Sequence, residues 1–116
     1  WGVSLFLKDE DITHLAKYLY DWSAPGSCLV FNAQGAEMNL EDPDMIKAVK
    51  IYEQMGSPLI IRSLAQYRKL LEPWKLEGKD FIPLLEWNGF DQSEMGKDDL
   101  KSFGPMGGGS GGYFSK

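Results

Sequence analysis

The sequence predicts an α/β fold on three observations. Two short, nearly continuous apolar runs occur at Gly2-Val3-Ser4-Leu5-Phe6-Leu7 and Ser27-Cys28-Leu29-Val30-Phe31-Asn32. Apolar residues recur at helical spacing between them, and Pro25-Gly26 breaks the helical pattern before the second run. Strand, helix and strand in that order describe a parallel crossover unit, with the helix on one face of a parallel sheet.

The opening run ends at Lys8-Asp9-Glu10-Asp11, the pattern of a strand buried on both faces, and is expected to be central. In the first helix Ile12, Leu15, Ala16, Leu19 and Trp22 form the apolar stripe, and the acidic residues at its start suit the positive end of the helix dipole. A second helix is signalled by Asp42 as cap, Pro43 in the first turn, Asp44 beside the dipole and Gly56 at the exit, with Met45, Val49, Tyr52 and Met55 as its buried stripe. After an extended Leu59-Ile60-Ile61, Ser63-Leu64-Ala65-Gln66 offers a capping box for a short helix through Leu71, which Pro73 stops. Phe81 to Trp87 reads as a further strand, pushed toward an edge or bulge by Pro83. Residues 88–112 read as a flexible glycine-rich loop, and Tyr113-Phe114 as a last short strand.

The chain has 116 residues, 43 % of them hydrophobic, enough for one modest core and hence a single domain or part of one. Trp1 opens directly into an apolar run, so residues 1–116 are expected to form a partial domain, a fragment whose N-terminal half lies upstream. Twelve basic and seventeen acidic residues leave a net charge of −5, which disfavours a nucleic-acid partner. Cys28 is the only cysteine, which excludes an intrachain disulfide and a thiolate metal cluster. No apolar stretch reaches the ~20 residues of a membrane span. With no secretory leader visible either, a cytoplasmic location away from membranes is expected.

Few residues propose chemistry by themselves. His14 lies on the boundary face of the first helix with no marked partner, and reads as a surface histidine rather than a general base. Cys28 reads as a small hydrophobe of a buried strand. The clusters Asp9-Glu10-Asp11 and Glu41-Asp42-Asp44 could bind a metal or a ribose hydroxyl, but helix capping explains both, and no metal is expected. Gly107-Gly108-Gly109-Ser110-Gly111-Gly112 lacks the Lys-Ser or Lys-Thr ending and the following helix of a phosphate loop. It reads as a native flexible loop or an engineered linker.

Taken in order, Val3-Ser4-Leu5-Phe6-Leu7 with Asp9-Glu10-Asp11, Ala24-Pro25-Gly26-Ser27 with Leu29-Val30, Gly56-Ser57-Pro58-Leu59 with Arg62-Ser63, Pro83-Leu84-Leu85-Glu86-Trp87, and the closing Gly111-Gly112-Tyr113 with Lys116 resemble one family. They are similar to the C-terminal half of the S-adenosyl methyltransferase family, a branch of the class I SAM-dependent methyltransferases with a Rossmann-like sheet. The resemblance implies that Gly2 to Leu7 is the fourth strand, Cys28 to Asn32 the fifth, Phe81 to Trp87 the sixth, and Tyr113-Phe114 an antiparallel seventh. It implies parallel strands plus that antiparallel last one. It also implies S-adenosyl-L-methionine as cofactor, held mainly by the absent N-terminal half. Trp1, Gly2, Val3, Ser4 and Leu5 would lie beside the cofactor, and Asn32, Ala33 and Gln34 beside the acceptor, which the insert from Asp42 to Leu71 would also border. Members often carry a histidine before the Asp-Glu pair, where this chain has Phe6-Leu7-Lys8.

The expected function is therefore part of a transferase that moves a methyl group from SAM to an unidentified acceptor, and that is incomplete for cofactor binding alone. No fixed triad is required, because methyl transfer relies largely on alignment of acceptor and methyl donor. A noncatalytic α/β module that pairs with itself as a dimer, or with the missing half, through an exposed strand edge at Gly2 to Leu7 is the competing expectation. A complete nucleotide-binding domain of another kind fares worse, since no glycine fingerprint follows either early run.

Overall fold

A computed structural model describes residues 3–34, 39–103 and 108–116. The fold is mixed α/β. In chain order it contains a 3₁₀ turn at Val3–Leu5, α1 (Asp9–Trp22), β1 (Cys28–Ala33), α2 (Pro43–Gln54), α3 (Leu64–Leu70), β2 (Lys75–Leu76), β3 (Ile82–Pro83) and α4 (Leu84–Trp87). A second 3₁₀ turn at Gln92–Glu94, α5 (Lys97–Phe103) and β4 (Ser110–Ser115) complete it.

The strands form one four-stranded sheet in the order β1-β4-β2, with β3 paired to β4 as well, and every pair is antiparallel. β4 is the centre. Along one side it pairs with the whole of β1, from Cys28 opposite Ser115 to Ala33 opposite Ser110. Along the other it takes β2 at Phe114 and Ser115 and β3 at Ser110 and Gly111. Between those two short strands the Glu77 amide donates to the Tyr113 carbonyl at 2.8 Å, which extends the pairing.

The expected parallel crossover is therefore corrected. Over its described residues the opening run holds a 3₁₀ turn, Val3–Leu5, rather than a central strand, and no strand among the described residues bonds the outer edge of β1. The physical reason is a buried cation. Arg62 draws the Ser4 and Leu7 carbonyls toward itself at 2.7 and 2.5 Å, so these carbonyls face a side chain instead of a ladder. Leu5 is buried as the apolar pattern suggested, but in a turn.

The helices follow their local signals. In α1 the Asp11 carboxylate accepts the Lys8 amide, and Ile12 and Ala16 face the core. In α2 Asp42 accepts the amides of Asp44 and Met45, and Gly56 leaves the helix at φ 78°. The Ser63–Gln66 capping box opens α3, which ends at Leu70. The expected buried stripe of α2 is absent, since none of its residues is buried.

The core lies between one sheet face and the helices α1 and α3, and gathers Ile12, Ala16, Ala33, Tyr67, Leu71, Trp74, Phe81 and Phe114. Aromatic edges lock it: Phe31 meets Tyr67 at 5.3 Å, Tyr20 meets Trp74 at 5.3 Å, and Phe81 meets Phe114 at 5.7 Å between ring centres. The Trp74 indole N–H donates to the Ala16 carbonyl at 2.8 Å, which satisfies its one polar atom.

The segment expected as one strand from Phe81 to Trp87 holds only two strand residues before α4 begins. Pro83 brings no amide to the ladder, and the Leu84 amide turns to the Gly109 carbonyl. Residues 88–112, expected as a flexible loop, carry the second 3₁₀ turn, α5 and the first half of β4. Gly109, Ser110, Gly111 and Gly112 are buried in or beside the central strand, in place of the expected flexible loop; Gly107 lies outside the described residues.

Candidate functional site

Successive residues of a strand point to opposite faces. On β1, Leu29, Phe31 and Ala33 take the core side, and Cys28, Val30 and Asn32 take the other, opposite Tyr113 and Gly111 of β4. A cavity of about 530 Å³ is lined by residues of both sets, Leu29 and Phe31 as well as Val30 and Asn32, so it wraps the free edge of β1. α1 contributes Ile12, Leu15 and Leu19, the opening turn Val3 and Ser4, and α4 Leu84 and Trp87. None of the lining residues is charged, and Ser4, Asn32 and Asn88 supply the polar groups.

The residues expected at the site divide in two. Val3 and Ser4, expected beside a cofactor, and Asn32, expected beside an acceptor, meet at this one cavity. Leu5 is buried under the turn, Ala33 is buried in the core, and Gln34 is half-buried; none of the three lines the cavity. Trp1 and Gly2 lie outside the described residues. The Asn32 Oδ1 is sealed from solvent and accepts no hydrogen bond among the described residues.

α4 forms one wall through Trp87. Its ring packs on the face of β4 opposite the core, 4.7 Å from the Tyr113 ring centre, and its indole N–H donates to the Tyr113 hydroxyl at 3.2 Å. A Cβ at Gly111 would stand 1.7 Å from that ring, so the strand needs glycine there for Trp87 to sit down. The Lys116 ammonium closes the far end of α1. It donates to the Tyr20 carbonyl and, at 2.5 Å, to the Ser23 carbonyl, and it lies 4.7 Å from the Tyr20 ring centre. A cation at a helix C-terminus complements the dipole.

His14 is exposed, as expected of a surface histidine. Cys28 is exposed too, contrary to its expected place in a buried strand, because the first position of β1 points away from the core. The acidic cluster at 9–11 is absorbed by structure: Asp9 pairs with Arg62 at 2.6 Å, and Asp11 caps α1. Among the described residues no group of three or more His, Cys, Asp and Glu side chains is placed to hold a metal ion. No helix among them is long and apolar enough to cross a membrane. The sequence reading missed Arg62, although a lone cation closing the apolar run Leu59-Ile60-Ile61 must either reach water or find buried acceptors.

No family model matches the chain, and neither a curated protein nor a solved structure matches it.

Proposed function

We propose that this chain is the acceptor-side half of a SAM-dependent methyltransferase, unable to hold the cofactor unaided. The observation that carries the proposal is the arrangement around β4. β1 and β3 are each antiparallel to it on opposite sides, so they run in the same direction, with a reversed last strand between them. An antiparallel last strand beside the fifth and sixth is in keeping with what the resemblance implies. The convergence of Val3, Ser4 and Asn32 on one cavity supports it further.

The donor set fits one side of the cofactor. Val3 and Ser4 would border it, and Asn32 the acceptor, with an uncharged surface that suits a flat, neutral ring, whereas the lining offers no charged partner for a methionine carboxylate or ribose diol. When bound, the group supplies a methyl on a sulfonium as electrophile. The chain's own part is to shape the apolar wall, keep water from it, and present the Ser4 hydroxyl and the Asn32 amide.

Titration calorimetry of S-adenosylhomocysteine against this chain, and against the chain extended upstream, tests the reading. Binding by the extended form alone is expected. Binding by neither removes the methyltransferase reading, and equal binding by the short form removes its incompleteness.

A second reading, a self-pairing or half-pairing interaction module, is favoured by apolar side chains left open around β1 and α1. Trp22 is 77 % exposed and Val30 60 %. Its strand edge would be that of β1, since Val3–Leu5, within the run expected to form that edge, is a turn.

A further inference from the structure

Arg62 is 3 % exposed, and its guanidinium spends its donors on a single short stretch of chain. It reaches the Ser4 carbonyl at 2.7 Å, the Leu7 carbonyl at 2.5 Å and the Asp9 carboxylate at 2.6 Å. A cation this deep is tolerated only with its donors engaged, so its position and that of its acceptors are fixed together. Neighbouring residues pull the same way. The Tyr67 hydroxyl donates to Ser4 Oγ at 3.2 Å, and the Ile60 amide to the Leu5 carbonyl at 2.7 Å. Tyr67 is itself fully buried and lies under the guanidinium, 5.8 Å from ring centre to Arg62.

Residues 60–67 thus hold residues 4–9 from one side, and Ser4 of that stretch stands in the cavity wall. Residues 60–67 also belong to the insert, Asp42 to Leu71, that the family resemblance sets beside the acceptor. We infer that Arg62 is a positioning residue that couples the acceptor-side insert to the cofactor-side turn. A shift of the insert moves the guanidinium, and the guanidinium carries the Ser4 and Leu7 carbonyls with it. The planar fork is essential, because a lysine ammonium is a single point that cannot span carbonyls on both sides. The inference rests on the methyltransferase reading for what the turn borders, not for the contacts that hold it.

The test uses the upstream-extended chain with Arg62→Lys, Tyr67→Phe and, as a control on the exposed face of α3, Arg68→Lys. S-adenosylhomocysteine affinity is measured by calorimetry at a temperature where circular dichroism shows each variant folded. A purely structural role lowers the melting temperature and leaves the affinity of the folded protein unchanged. Misplacement of a site by ~1 Å can cost ~100-fold, so Arg62→Lys is expected to weaken binding about tenfold or more. Tyr67→Phe, which frees only the Ser4 hydroxyl, is expected to weaken it severalfold, and Arg68→Lys not at all. Wild-type affinity in a folded Arg62→Lys overturns the inference. If that variant does not fold, wild-type affinity in Tyr67→Phe overturns it. If the unmutated extended chain binds nothing, the methyltransferase reading fails instead. Amide exchange at residues 5–9 then decides the clamp: faster exchange in Tyr67→Phe supports it, and unchanged exchange overturns it.

Discussion

Gly111 and Trp87 show how one residue type settles a strand. Glycine is disfavoured in strand interiors because it packs nothing, yet here its missing Cβ is the space that the Trp87 ring fills. Gly111→Ala is therefore expected to lower stability by about 1–3 kcal/mol through overpacking, read as a fall in the urea midpoint. In the Trp87→Ala background the same change is expected to cost much less, so the pair should be strongly non-additive. A polar counterpart lies at Asp91, whose carboxyl is held below its ordinary 3.8 by hydrogen bonds from the Ser93 hydroxyl and amide. A depressed folded value means that its contribution is present above the ordinary value and fades as pH falls through the folded one. Ser93→Ala is expected to move the Asp91 titration, followed by carboxyl NMR shifts, back up toward 3.8; an unmoved titration would rule out the hydroxyl as the main cause.

At the scale of elements, α2 and the core aromatics separate periodicity from burial. α2 carries an apolar stripe by sequence but buries no residue, whereas Trp74 outside any helix is buried and bonded to α1. Ile51→Gln is expected to change stability by no more than about 0.5 kcal/mol, and Trp74→Ala to cost about 3–5 kcal/mol. Comparable losses in the two urea curves would show that α2 is packed. The same contrast explains what the sequence made legible. α1, α2 and α3 could be read because caps and breakers act within a few residues, as with Asp42, Gly56 and Ser63. The opening run could not, since an apolar stretch signals burial without distinguishing strand from turn, and Arg62, 58 positions from Ser4, made the choice. β4 was half legible: Tyr113-Phe114 carry strand propensity, but Gly111 is explicable only once Trp87 is placed on it. Of the residues that line the cavity, Val3 and Ser4 were legible only through the family resemblance and Asn32 also by its place at the end of an expected strand, and the element that delivers Val3 and Ser4 is a turn.

For the whole molecule the deciding feature is an uncovered edge. The principal extents are 44 × 37 × 18 Å and the radius of gyration is 15.4 Å, against about 13 Å for a compact domain of this length. The excess reflects a thin slab whose sheet is covered unevenly. Along the slab, β1 offers an outer edge unpaired among the described residues, with the sequence Cys28-Leu29-Val30-Phe31-Asn32-Ala33, which contains neither charge nor proline. Proteins usually protect such edges with lysine, proline or a bulge. Net repulsion from a charge of −5 opposes contact between copies, but it acts over a screened distance, whereas the open edge and the apolar cavity beside it act at contact. The chain by itself is therefore expected to associate reversibly, or aggregate, at micromolar to millimolar concentration, visible as a concentration-dependent sedimentation coefficient. Val30→Lys should suppress this, because Val30 is exposed and a lysine on an open edge strand opposes the addition of a second strand without opening the core. The upstream-extended chain should sediment as a monomer over the same range if its added segment lies against β1. A short chain that stays monomeric throughout would mean that the edge is already protected, and would count against the interaction-module reading; association that survives in the extended chain would favour that reading over the methyltransferase one.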